Sequence, residues 1–282
     1  MPPDLLRPPY DATSTAKFHQ ALTDPNDMAE FIRFVASSLL TRDHQTVFFG
    51  DRMLTLDKSA GFMDDPGFKA AFERIHGSHD YDQYGGAQTI AWRLHTLVWA
   101  AQSALALPEG DFVECGVFKG DMAWMVGQVT NFAATGRQFW LFDSFSGFDP
   151  AQATDGDFPD NPGYVALANS VYGKDGLYES VVDRFKDLPW YKIHRGFLPA
   201  KLDEVGFPDR IAFLHIDLNS PAAEVGCLEQ MFDHVVPGGY VVFDDYGWKP
   251  FRAQKEAEDA FFAARGYRVL ELPTGQGLVI KR

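Results

Sequence analysis

From Gly110 onward the chain is cut into short, nearly continuous apolar runs bounded by Gly, Pro and Asp, and this texture restricts its fold more than any other feature. The runs are Phe112–Cys115, Phe139–Phe142, Tyr191–His194, Ile211–Ile216, Tyr240–Phe243, Arg268–Leu272 and Gly277–Ile280, with helix-compatible stretches between most of them. Strands that lack polar alternation are those covered on both faces, so the pattern predicts a parallel sheet between two helical layers. The last two runs are different. Only the turn Pro273–Gly277 separates them, too few residues for a crossover, so they are expected to form an antiparallel hairpin at one edge. The expected fold is α/β and Rossmann-like: a seven-stranded, mostly parallel sheet with an antiparallel C-terminal hairpin and a helical N-terminal extension.

Before Gly110 helical patterning dominates, with helices expected at about 27–40, 66–75 and 87–107. The last places Ile90, Leu94, Leu97 and Val98 at helical spacing and stops at Pro108. Residues 1–109 are therefore read as an extension packing on a core at 110–282. The segment from about 149 to 187, rich in Asp, Gly, Pro and Tyr, exceeds an ordinary connection and is expected to be a lid over the active site. Hydrophobic residues make up 46% of the 282 positions, enough for a sizeable core in one α/β domain. A formal charge of −14, with no cluster of Lys and Arg, argues against a nucleic-acid partner. No apolar segment reads as a signal peptide or membrane span, and Cys115 and Cys227 are too few and too far apart for a disulfide framework. A reducing, cytoplasmic setting without membrane contact is the expectation.

Ligands of open α/β sheets bind at the carboxyl ends of the strands, near the first one. Here that strand delivers Glu114-Cys115-Gly116-Val117-Phe118-Lys119-Gly120. A dinucleotide would want a GxGxxG turn for its pyrophosphate, and Glu114 would set a carboxylate beside those phosphates. S-adenosylmethionine has no phosphate but carries an ammonium and a sulfonium, which an acidic residue favours. Gly116 and Gly120 would admit close backbone approach. The second strand ends in Asp143, whose carboxylate can accept from both hydroxyls of a ribose. Phe118 and Lys119 in the first loop, Ser144 after Asp143, and Gly196 beyond the third strand complete the candidate cofactor set.

The fourth run leads into Asp217 and the fifth, entered through Pro237-Gly238-Gly239, into Asp244 and Asp245. Convergent carboxylates are unfavourable unless a cation sits among them, and oxygen ligands select a hard ion, Mg²⁺ first, then Ca²⁺ or Mn²⁺. Such an ion could bind a substrate hydroxyl and favour its alkoxide, with Asp217 the catalytic ligand. The alternative is structural, Asp245 capping a helix and Asp217 pairing with a base such as Arg252. His194 and His215 read as hydrogen-bonded core histidines, and Trp92 and Trp99 as core.

Four segments, Ile90–Ala101, Gly110–Gly120, Leu141–Phe148 and Pro237–Tyr246, together with Leu54–Lys58 and Gly61–Pro66 upstream, resemble the macrocin O-methyltransferase family of class I S-adenosylmethionine-dependent methyltransferases. That resemblance covers about residue 50 to the end. It implies cofactor roles for Glu114, Gly116, Gly120 and Asp143 and metal roles for Asp217, Asp244 and Asp245. It also implies methylation of a hydroxyl on a sugar or glycosylated small molecule, and a homodimer or larger homo-oligomer. One position departs from the family: two residues after the strand-four aspartate, where a second acid is proposed as general base, this chain has Asn219. An amide takes up no proton at neutral pH, so the metal alone, Glu224 or a lid residue would have to serve. A metal-dependent hydrolase using the same aspartates, or a binding module that does not catalyse, are the competing readings.

Overall fold

The computed structural model describes residues 47–50, 53–76, 90–159 and 162–282; the helix expected at 27–40 lies outside them. β1 (Val47–Gly50) and β2 (Met53–Leu56) form a two-stranded sheet. The main sheet has seven strands: β3 (Asp111–Cys115), β4 (Phe139–Asp143), β5 (Tyr191–Arg195), β6 (Ile211–Ile216), β7 (Val235–Phe243), β8 (Leu270–Glu271) and β9 (Gly277–Ile280). Their order is β5-β4-β3-β6-β7-β9-β8. β3, β4, β5, β6 and β7 run parallel, while β9 is antiparallel to β7 and to β8. Chain direction across the sheet reverses between β3 and β6, the switch point at which ligands of such sheets collect.

Side chains alternate between the faces of this sheet. Phe112, Leu141, Phe213, Val242 and Leu278 share one cluster with Leu94 and Leu97 of helix α2 (Ala91–Leu105) and Met125 of α3 (Asp121–Val129). Val113, Phe142, Leu214, Val241 and Val279 share the other with Cys227 and Met231 of α7 (Pro221–Met231) and Phe262 of α8 (Arg252–Ala263). α1 (Pro66–His76) precedes α2, and α4 (Tyr164–Tyr172), α5 (Leu177–Phe185) and α6 (Ala200–Val205) follow α3. α7 starts where it does because the Ser220 side chain accepts from Ala223 N and Pro221 is preset for the first helical position.

Four local readings change. β7 begins at Val235, not Tyr240: between the pairs Ile211↔Val235 and Phe213↔Tyr240 the register shifts, and the extra residues carry Pro237-Gly238-Gly239. The 268–272 run supplies only a two-residue edge strand. Segment 149–187 is not irregular throughout; it contains α4 and α5. Trp99 is 46% exposed, edge-on to Tyr240, and so is not core. Among the described residues no helix is long and apolar enough to cross a membrane.

Phe112 lies at the centre of a ring cluster, with Phe132, Phe139 and Phe213 at centroid distances of 4.9, 5.6 and 5.0 Å. Phe112→Ala is expected to lower the unfolding free energy by about 3–5 kcal/mol in a urea titration, since close-packed rings cannot collapse into the void.

Candidate active site

A cavity of about 470 Å³ opens at the carboxyl ends of β3, β4, β6 and β7. Its first wall is the loop after β3. Gly116 has φ +91°, and a Cβ there would lie 1.8 Å from the carbonyl oxygen of Asp217, so only glycine lets the loops after β3 and β6 touch. Asp143, at the end of the neighbouring strand, braces this loop: Oδ2 accepts from Val117 N at 2.7 Å and Phe118 N at 2.8 Å, while Oδ1 accepts from Phe145 N at 2.6 Å. Ser144 Oγ donates to the Gly147 carbonyl. Gly116, Phe118, Lys119, Asp143, Ser144 and Gly196 all line the cavity. Glu114 and Gly120 do not.

Glu114 is held elsewhere by the pleat. It pairs across the sheet with His215, and both side chains point to the α2 face, where Glu114 Oε1 meets His215 Nδ1 at 2.9 Å. Both are fully buried. Burial pushes the Glu114 carboxyl up, against the pull of His215. For His215 burial opposes the charge, yet bonding to Asp244 and Glu114 prevails and lifts the imidazole to about 10. His215 is thus a core histidine, as its sequence setting suggests.

Asp217, Asp244 and Asp245 come together, with one oxygen of each within 4.8 Å of the others. Sequence reasoning missed what stands beside them. Arg93 of α2 places Nη1 2.5 Å from Asp244 Oδ2 and 3.4 Å from Asp245 Oδ1. Its signal was present: position 93 falls on the same helical face as Ile90, Leu94 and Leu97, where a charge requires a buried partner. The base seen at the cluster is Arg93, on Asp244 and Asp245. Gln276 Nε2 donates to Asp244 Oδ1 at 3.1 Å, and His215 Nε2 lies 3.9 Å from the same oxygen. Burial would raise Asp244, but Arg93 and His215 hold it down at about 2. Asp217 is pushed well above the carboxylate range by burial and by its two neighbours, and burial lifts Asp245 to about 7. Three oxygen donors with charge to spare are a fitting donor set for a hard divalent cation.

Asn219 sits beside this cluster with φ +55° and donates from Nδ2 to Asp217 Oδ1 at 3.2 Å. Glu224, a substitute base by sequence, is completely buried and absent from the cavity wall; its Oε1 accepts from Leu218 N and Asn219 N. Segment 149–187 borders the cavity through Gln152, Tyr164, Leu167 and Tyr172. It is tied on both sides: Ser220 Oγ donates to the Gln152 carbonyl, and Arg184 donates to Lys119 O and Asp121 Oδ1.

Residues 68–268 match the family model described as Macrocin-O-methyltransferase (TylF). The chain is 28% identical over 198 residues to mycinamicin III 3''-O-methyltransferase of Micromonospora griseorubida, spanning 63% of this chain and 72% of that protein. It is 29% identical over 160 residues to 8-demethyl-8-(2,3-dimethoxy-alpha-L-rhamnosyl)-tetracenomycin-C 4'-O-methyltransferase of Streptomyces olivaceus, spanning 55% and 60%. Among solved structures the O-methyltransferase NovP aligns with a TM-score of 0.55 at 21% identity, over 67% of this chain and 79% of that one. The calicheamicin methyltransferase CalS11 aligns at 0.53 and 18%, over 77% and 93%. Both share the fold.

Arg93→Met leaves Asp244 and Asp245 without their guanidinium. Asp244 is depressed in the wild type, so its contribution is present above pH 4 and disappears as pH falls toward 2. The variant should lose about 3 kcal/mol at pH 8 and less at about pH 2.5, measured by denaturant unfolding at both values.

Proposed function

This chain belongs to the macrocin O-methyltransferase family, and we propose that it moves a methyl group from S-adenosylmethionine, with Mg²⁺, to a hydroxyl of a sugar or glycosylated small molecule. The observation that carries the reading is the convergence of two features on one cavity: the glycine-bearing loop after β3 and the carboxylates at the ends of β6 and β7. The acceptor class follows the named relatives, which act on mycinamicin III and on a rhamnosyl tetracenomycin C. Family membership sets aside the hydrolase reading. Cytoplasmic location and a homodimer or larger homo-oligomer belong to the same proposal.

Asp217, Asp244 and Asp245 would hold the cation, which supplies Lewis acidity toward an acceptor hydroxyl. The loop Gly116–Lys119 and the end of β4 would take the methyl donor, with Asp143 keeping the loop in shape and Ser144 and Gly196 forming its floor. Glu114, expected among the ligands of the donor, meets His215 through Oε1 behind the loop. Asn219 orients Asp217 instead of taking the hydroxyl proton. Tyr164, Trp248 and Phe251 present ring surfaces that would pack against the acceptor and exclude water. Segment 149–187 would act as the lid over them.

Three measurements bear on this reading. S-adenosylhomocysteine should raise the melting temperature, and Asp217→Asn should abolish metal-dependent transfer to glycoside acceptors; full activity in EDTA would exclude the metal. Mg²⁺ should also raise the melting temperature more at pH 8 than at pH 5.5. Asp245, lifted to about 7, and Asp217, raised as well, cost the fold stability as pH climbs from about 4 through 7, and a bound cation relieves that cost.

A further inference from the structure

Behind the loop that follows Asp217 lies a second pair of acids that the chemistry above does not use. Glu224 of α7 and Glu258 of α8 are both completely buried on helices that pack together, with the two carboxyls within reach of each other. Glu224 Oε1 accepts from Leu218 N at 3.1 Å and Asn219 N at 3.0 Å. Glu258 Oε1 accepts from Gln254 Nε2 at 3.3 Å. The other oxygen of each, Glu224 Oε2 and Glu258 Oε2, is buried and meets no N–H or hydroxyl donor. Two carboxylates cannot touch in an apolar interior with both ionised, and a hydrogen bond between them needs a proton on one.

We propose that Glu258 carries a proton and donates it in a hydrogen bond to Glu224 Oε2, and that this acid–carboxylate pair is a latch that positions Leu218–Asn219, and through it Asp217, for methyl transfer. Glu224 keeps the charge because two backbone N–H groups already point at it. Burial, followed by the nearby Glu224, pushes the Glu258 carboxyl well above its usual range. Burial raises Glu224 too, while hydrogen bonds from Glu258, Leu218 and Asn219 pull it back. The other groups facing the pair favour a single charge: Asp259 and Tyr246 lie by Glu258, and Asp245, Cys115 and the cationic His215 by Glu224.

The latch has a definite load. Asn219 is a non-glycine residue in the left-handed region, a conformation that its neighbours must hold. The two N–H bonds to Glu224 do so. The peptide they hold is the one whose preceding carbonyl, that of Asp217, packs on Gly116 of the cofactor loop. Glu224 and Glu258 are thus positioning residues, since neither lines the cavity. The positioning role rests on the methyltransferase reading; the shared proton does not.

Glutamine at 258 supplies a permanent N–H to Glu224 Oε2 and still accepts from Gln254. Because the folded-state value of Glu258 is raised, the wild-type latch is complete at low pH and loses stability as pH rises above about 4.5. Melting temperatures of the full chain, Glu258→Gln and Glu258→Leu from pH 5.5 to 9 test the proton. Glu258→Gln should match the wild type at pH 5.5 and melt at least about 3 °C above it at pH 9. Asp217 and Asp245 titrate in both proteins and cancel. A constant offset between the two at every pH overturns the shared proton. Calorimetric binding of S-adenosylhomocysteine tests positioning: Glu258→Gln should bind within about twofold of wild type and Glu258→Leu about tenfold more weakly. Equal affinity in folded Glu258→Leu overturns the positioning role. A wild-type chain that does not bind S-adenosylhomocysteine overturns the parent reading and that role with it, while the melting curves still decide the proton.

Discussion

The contact between Arg93 and Asp244 is the one on which the cavity depends. Period-two alternation puts Glu114, His215 and Asp244 on the same face of three adjoining strands, so carboxylates accumulate beneath the ligand site. Left alone they would repel and take on protons. Instead charge alternates along a row: Glu114, the imidazolium of His215, Asp244, then the guanidinium of Arg93. Asp244 is thereby kept ionised and fixed. Asp217 and Asp245, on which burial outweighs the pull of Arg93, are left as the positions where further positive charge is favoured.

The loops around the cavity are shaped by one device used twice. A carboxylate at the end of one element accepts from two consecutive backbone N–H groups of a neighbouring loop: Asp143 from Val117 and Phe118, Glu224 from Leu218 and Asn219. In each pair one residue, Phe118 or Asn219, has positive φ. Both loops are thus set before any ligand arrives, which is what preorganised binding of a transition state requires. Arg184, reaching from α5 to Lys119 and Asp121, joins the segment that borders the cavity to the same loop.

Much of this was legible in the sequence because it follows from backbone periodicity. Apolar runs without alternation gave the parallel strands, the five-residue turn gave the antiparallel hairpin, and the aspartates at adjoining strand ends converged as adjacency required. What escaped depends on pairing across distance. Glu114 is a strand residue whose outlook is decided by register with His215, which no local pattern reveals. Asp143 meets its loop through backbone N–H groups that carry no residue identity. Arg93 comes from a helix more than a hundred residues before its partners, and Glu258 from a helix after them. The Pro237-Gly238-Gly239 shift hid the start of β7 because its residues look like a turn.

In the proposed reading one cavity holds a methyl donor on the loop after β3 and a hard cation on the aspartates after β6 and β7. Anomalous diffraction from crystals grown with S-adenosylhomocysteine and Mn²⁺ tests it most directly. The expected map has a manganese peak among Asp217, Asp244 and Asp245 and the nucleoside against Gly116–Phe118. A cavity without manganese, or a nucleoside bound away from that loop, would contradict it.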